Sequence, residues 1–299
     1  MTLELSKYRK YDTLVVMISS AFPLQTLDLD DHRVAYVDLD PDTSHTPLVL
    51  LHGGVVDHRM WSHQLAAFPD RRVIAPDARG HGQTSTPTGP HRLCDDVVAL
   101  LDALDVPHAV LVGLSMGGGT AVDTALEYPD RVTGLVVSGT GTSEPEFTDP
   151  WIVDIFSAWQ QAQAAADLEA WVDVFLRFVP GPQRTAADVE PAVMRGIQTM
   201  ARDLVTTHVK LDENGVPVAP AQPTPVTGTW SRLPGIAVPV LAIAGSADGS
   251  DHVRMTRQLA EHVQQGRFVT VDGVGHYPNL ERPAEFNAAV LEFLAAHDL

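Results

Sequence analysis

The sequence predicts an α/β protein, with a mainly parallel sheet, helices on both faces and a helical segment inserted near the middle. Two observations predict it. Short, wholly apolar runs, the pattern of strands buried on both faces, alternate with helix-like stretches; strand, helix, strand, helix implies parallel strands joined by crossovers. One long stretch, from about Gly141 to Trp230, breaks that rhythm with helical patches and no buried-strand run. A chain of 299 residues has room for two domains or for one large domain with an insertion.

Taken in order, Lys7, Arg9 and Lys10 precede an apolar run from Leu14 to Phe22, and Ser19-Ser20-Ala21 resembles a secretory cleavage site. The run is short, Ser19 and Ser20 interrupt it, and Glu4 lies in the basic stretch. Residues 1–23 are therefore expected to form an arm packed on the domain of a cytoplasmic protein. Leu27–Leu29 and Val34–Asp38 read as a hairpin turning at Asp30–Asp31. Buried-strand runs follow at Pro47–Leu51, Arg72–Ala75, Ala109–Gly113, Val132–Ser138, Val240–Ala244 and Arg267–Val271. Helical patterns lie between them at Trp61–Phe68, Arg92–Leu104, Gly117–Tyr128, Val253–Val263 and Pro283–His297. Within the insertion, Trp151–Ala166 and Leu168–Phe178 are helical patches, followed by a proline-rich stretch from Val216 to Pro225. The division expected is 1–143, 144–228 for the helical insertion, and 229–299.

Composition excludes several functions. The formal net charge is −18, so nucleic acid is not an expected partner. No apolar stretch approaches the roughly 18 residues of a membrane span. The single cysteine, Cys94, rules out an internal disulfide and a cysteine-based metal centre. There is no H-E-x-x-H or phosphate-binding loop, and no metal or cofactor is expected.

The chemistry is carried first by Gly113-Leu114-Ser115-Met116-Gly117. A buried strand precedes it and a helix follows, the context a G-x-S-x-G nucleophile elbow requires. So sharp a turn leaves no room for side chains two residues before and after the serine. It projects the Ser115 hydroxyl into a cleft, and it leaves the Met116 amide at a helix N-terminus, free to donate to an oxyanion. A serine hydroxyl needs a base. Of 13 histidines, His276 lies in Gly273-Val274-Gly275-His276, just past the last strand run, where parallel sheets place functional groups. His252 is its rival; His58 and His63 are expected to be solvated. The loop after Val240–Ala244 offers Asp248, with Asp251 as the alternate, to orient the base. The second oxyanion donor is expected from Leu51-His52-Gly53-Gly54, through the amide of Gly54 or of Val55.

Together, His52-Gly53-Gly54, Asp77–Ser85 (with Arg79-Gly80-His81-Gly82 at its centre), the elbow, Gly245–Asp248 and Gly275-His276 resemble the α/β-hydrolase superfamily. Within it, the chain resembles the branch of 3-oxoadipate enol-lactonases, cofactor-free haloperoxidases and small esterases. It runs from about Leu27 to Asp298, except for Gly141–Trp230, where that family carries a variable helical cap. The resemblance implies a triad of Ser115, Asp248 and His276, and an oxyanion hole of the Gly54 and Met116 amides. It implies a structural role for the Arg79–Gly82 loop. The loop after the acid lacks the proline common in the family, so Asp251 stays open.

The expected activity is hydrolysis of a small carboxylic ester or lactone, hydrophobic in character, with Val55, Trp151, Trp159 and Trp171 as candidate substrate-binding residues. Perhydrolase chemistry uses the same triad. Carbon–carbon bond hydrolysis fits less well, because Val55 and Val56 stand where that branch carries asparagine or serine. A ligand-binding protein with an idle triad is the alternative from another class.

Overall fold

The computed structural model describes residues 22–41, 43–213, 217–218 and 220–299. The expected N-terminal arm thus lies outside the described residues except for Phe22 and Pro23.

The described residues form ten strands: β1 Leu24–Asp28, β2 Arg33–Leu39, β3 Leu48–Leu51, β4 Val73–Pro76, β5 Ala109–Leu114, β6 Val132–Ser138, β7 Lys210–Leu211, β8 Pro217–Val218, β9 Val240–Gly245 and β10 Gly266–Val271. Eight form one sheet in the order β1-β2-β4-β3-β5-β6-β9-β10. β1 and β2 pair antiparallel, as do β2 and β4; every pairing from β4 to β10 is parallel. The β1–β2 hairpin is longer than the apolar pattern indicates, because Leu24, Gln25 and Thr26 also pair, with Val37, Tyr36 and Ala35. An edge ladder is made by backbone groups and needs no apolar side chains there.

The strand alternation sorts the core into two layers. Leu48, Leu50, Val110, Val112, Leu241 and Ile243 join one buried cluster, with Trp61, Phe286, Val290 and Phe293. Val49, Leu51, Ala109, Leu111 and Val240 join the other, with Leu100, Leu101, Val122 and Leu259. The sheet is therefore covered on both faces. Leu93–Ala103, Met116–Glu127 and Ser250–His262 supply helices to the second layer, and Pro283–Ala296 supplies one to the first. Each fully buried Leu, Ile or Val contributes about 1.5–3 kcal/mol. The expected helix at Trp61–Phe68 is instead a 3-10 turn, His58–Trp61, running into Ser62–Leu65. Asp57 caps the turn by accepting from the Arg59 amide, which starts it earlier. Pro69 disfavours helical backbone just before itself and ends it.

Between β6 and β9 the described residues form three long helices, Pro150–Ala164, Leu168–Leu176 and Pro191–His208. Asp149 and Asp167 cap the first two. The third was not among the helical patches expected, although Val193, Ile197, Met200, Ala201, Leu204 and Val205 lie at helical spacing and pack into the first core layer. The strands β7 and β8 form a small ribbon after it.

The strand order reverses beside β3, which has β4 on one side and β5 on the other. Open α/β sheets bind ligands outside the carboxyl ends of their strands at such a point. The loops leaving β3, β5, β6, β9 and β10 carry Gly54, Ser115, Gly139, Asp248 and His276.

Candidate active site

Ser115 has φ 53° and ψ −115°, positive for a residue with a Cβ, a conformation that costs about 1–3 kcal/mol. Its neighbours show why the turn tolerates only glycine. A Cβ on Gly113 would lie 2.2 Å from the Gly117 carbonyl oxygen, and one on Gly117 would lie 2.1 Å from that of Leu51. The Ser115 amide is held by the Ser138 carbonyl at 2.8 Å. The next residue, Gly139, lies against the imidazole of His276, where a Cβ would sit 2.8 Å from Cε1. The backbone that fixes Ser115 therefore also shapes the seat of His276. Among the described residues, the amides of Gly54 and Met116 donate to no protein acceptor.

His276 is buried and its Nδ1 lies 2.8 Å from Asp248 Oδ2. A carboxylate only accepts, so Nδ1 carries the proton and Nε2 is left as the acceptor nitrogen. Burial is the main effect on His276 and pushes its pKa below the usual 6.5; the negative charge of Asp248 opposes this in part. Burial also works against the charge of Asp248, but the two histidines beside it outweigh that effect. They hold the carboxyl well below the usual carboxylate range.

Asp251 is engaged elsewhere. It accepts from the amides of Thr148 and Asp149, each at 2.6 Å, and from Arg254 at 2.8 Å. It pins the start of the helical insertion and does not contact His276. His252, the rival base, also points at Asp248: its Nδ1 lies 2.9 Å from Oδ1. Asp248, His252 and His276 bring three potential metal-ligand atoms within 4.8 Å of one another, but the mutual hydrogen bonds use these same groups.

Contacts overturn one expectation about the histidines. His58, expected in solvent, is mostly covered and bonded to Asp77, with Nδ1 2.8 Å from Oδ1. Asp77 collects the His58 and Gln83 amides as well, a turn-closing role invisible from local pattern. His52 accepts from the Ala78 amide through Nε2 and ties the β3 loop to the β4 loop. Arg79 bridges Asp31 and Asp96, so this loop is held by ion pairs.

The aromatic surroundings differ from the expected wall. The ring of the insertion that meets His276 is Phe178, at 6.0 Å between centroids; it meets His252 at 6.0 Å and Trp151 at 5.8 Å. Trp151 also packs on Gly249, the residue after Asp248, where a Cβ would lie 2.7 Å from its ring. Trp159 and Trp171 face each other at 4.9 Å, and Trp159 also meets Phe156 and Phe175, which places them inside the helical layer; Trp159 is one ring removed from His276, through Phe178 at 6.3 Å, and Trp171 two. Val55 is buried, with φ 68°, an outlier for a β-branched residue. Phe178 ends the helical patch expected at Leu168–Phe178, whereas the observed helix stops at Leu176; a helical pattern does not tell which of its aromatic rings meets His276.

The segment after Phe178 lies across both catalytic-candidate loops. A Cβ on Gly275 would meet the Val179 carbonyl at 2.2 Å, and one on Gly181 the Ala247 carbonyl at 2.0 Å. Arg184 pairs with Glu281, whose Oε1 accepts from the Gly275 amide at 2.9 Å. Both side chains are largely buried. Glu281→Ala strands the guanidinium and that amide, and is expected to lower the unfolding free energy by roughly 3 kcal/mol. A urea titration reads this; a loss below about 0.5 kcal/mol, the range of an ordinary surface substitution, would remove this clamp from the account.

Residues 46–283 match the family described as the alpha/beta hydrolase fold. The chain is 32% identical over 241 residues to 3-oxoadipate enol-lactonase 2 of Acinetobacter baylyi, covering 77% of this chain and 82% of that one. Among solved structures it is similar to the enol-lactonase from Burkholderia xenovorans LB400, at 25% identity and a TM-score of 0.70, covering 91% of this chain and all of that one. It is also similar to Est816, an N-acyl homoserine lactone degrading enzyme, at 26% identity and a TM-score of 0.67, covering 90% of this chain and 100% of that one. Among the described residues, no helix is long and apolar enough to cross a membrane.

Proposed function

The chain belongs to the α/β-hydrolase family, and from that premise we propose that it is a serine hydrolase that cleaves a carboxylic ester or lactone through an acyl-enzyme at Ser115. The observation that carries the reading is the buried Asp248–His276 pair, packed against the residue next to the one that holds the strained Ser115 turn. Resemblance to enol-lactonases and to a lactone-degrading enzyme supports the substrate class.

The steps follow from the donors available. His276 Nε2 takes the Ser115 hydroxyl proton as Oγ bonds to the substrate carbonyl carbon. The oxyanion formed accepts from the Gly54 and Met116 amides, each contributing about 3–4 kcal/mol to the transition state. The imidazolium, stabilised by Asp248, returns its proton to the leaving oxygen as the carbon–oxygen bond breaks. Water then attacks the acyl carbon, giving its proton to Nε2; the bond from that carbon to Ser115 Oγ breaks, Nε2 returns the proton to Oγ, and the acid leaves. The segment 144–228 is read as the cap over this site. Phe178, with Trp151 beside it, gives the pocket an apolar, aromatic side that favours a hydrophobic acyl or alcohol group.

The base works only when neutral. Since burial lowers the His276 pKa, kcat/KM is expected to hold its plateau down through pH 6.5 and to fall only below it. A pH–rate profile checks this, and an acid limb centred above 6.5 would contradict it. The reading itself is tested with p-nitrophenyl esters of graded chain length and a set of lactones. We expect turnover within this panel, with apolar acyl groups preferred over charged ones; no hydrolysis of any member would sink it.

A further inference from the structure

We propose that His252 is a positioning residue for the same reaction, holding Asp248 by its second oxygen and limiting how much of that carboxylate's charge reaches His276. The inference rests on the roles just given to Asp248 and His276. It goes beyond them, because those steps use one imidazole and the structure supplies two.

Both imidazoles aim Nδ1 at one carboxylate: His276 at Oδ2, 2.8 Å, and His252 at Oδ1, 2.9 Å. Oδ1 also accepts from the Gly249 amide at 2.7 Å, so neither oxygen is without a donor. The carboxylate is fully buried, and His252 is only 6% exposed. The two rings lie 4.3 Å apart and tilted by 31°. His252 sits in the first turn of the Ser250–His262 helix, four residues after Asp248, with Phe147 edge-on at 5.7 Å and Phe178 at 6.0 Å.

The chemistry follows from the acceptor count. Asp248 only accepts, so each Nδ1 carries a proton. A carboxylate whose second oxygen already takes two N–H donors has less charge left to stabilise an imidazolium at the first. The ionisable groups facing this pair are few. Asp248 and His276 are the partners, and Tyr277 packs edge-on against His276 at 5.4 Å, its phenol kept neutral by burial and by the charge of Asp248. Asp251, the neighbour of His252, turns to the Thr148 and Asp149 amides and to Arg254. Phe147, from the segment before Pro150, and Phe178 offer His252 neutral aromatic rings.

Two variants separate positioning from packing. His252→Leu fills the space and removes the donor. His252→Asn places an amide N–H close to where Nδ1 was. With p-nitrophenyl acetate as the probe, His252→Leu is expected to move the acid limb of kcat/KM upward by about one pH unit, because the freed carboxylate makes His276 more basic. His252→Asn is expected to return the limb to the wild-type position. Independently of turnover, the wild-type proton NMR spectrum should show two downfield imidazole N–H signals, one of which is lost in either variant.

A His252→Leu profile that superimposes on the wild type, or a limb in His252→Asn displaced as far as in His252→Leu, overturns the role. If His252→Leu fails to fold, the other two measurements decide: a limb moved in His252→Asn, or only one downfield signal in the wild type, overturns it. Absence of any hydrolysis by the wild type is a different failure, sinking the reading of Ser115 first and this role with it.

Discussion

Ser115→Ala is expected to lower ester turnover by roughly 10⁴–10⁶ with no loss of the fold. The argument is geometric. Alanine keeps the Cβ, so the strained backbone at φ 53° is neither relieved nor worsened, and the Ser138 carbonyl still holds the amide. Only the hydroxyl is removed, and with it the atom that bonds to the acyl carbon. The amides of Gly54 and Met116 and the pocket remain, which leaves a small residual rate from binding and oxyanion stabilisation. Thermal unfolding should match the wild type. Residual activity above about a tenth of the wild type, far outside the loss seen when a nucleophile is removed elsewhere, would show that another group carries the reaction.

The second large effect concerns the acid. Asp248→Asn is expected to cost about 10⁴ in turnover, as when the corresponding carboxylate of a serine protease is neutralised. Asparagine offers one acceptor atom and one donating group where two imidazole N–H groups now arrive. One histidine must therefore lose its hydrogen bond or change tautomer. If His276 changes, Nε2 carries the proton and can no longer accept one from Ser115. Asp251→Asn should leave kcat within a few-fold and appear mainly as lost stability, since its partners are the Thr148 and Asp149 amides and Arg254. Steady-state kinetics and thermal unfolding on both variants separate the two carboxylates; a reversed ranking would move the acid three residues along the chain.

These residues also show where a sequence can be read and where it cannot. The elbow is legible because its demand is local: Gly113 and Gly117 are needed within a few residues of Ser115, where carbonyl oxygens crowd in. The central strands are legible because burial on both faces writes an unbroken apolar run, as in β3 and β9. The choice between Asp248 and Asp251 is not local. They lie three residues apart, Asp248 in the loop and Asp251 in the first turn of the Ser250–His262 helix, and only the folding of Thr148 and Asp149 against that helix assigns Asp251 to a different task. The helix at Pro191–His208 left its apolar stripe in the sequence, but Gly196 and the threonines among its polar positions weakened the pattern. Phe178 and the second contact of Asp248 to His252 depend on the insertion meeting the loops after β9 and β10. Trp159 and Trp171 read as candidate substrate-binding residues, yet only packing reveals that they face each other and leave Phe178 against His276.

The central claim is that Ser115 is the nucleophile, and covalent capture tests it most directly. The wild-type protein is treated with a fluorophosphonate, its intact mass is measured, and the modified residue is located by peptide mapping. The account predicts one adduct per chain, on Ser115, absent from Ser115→Ala under the same conditions. No adduct on the folded wild-type protein, or an adduct on another residue that persists in Ser115→Ala, would contradict it.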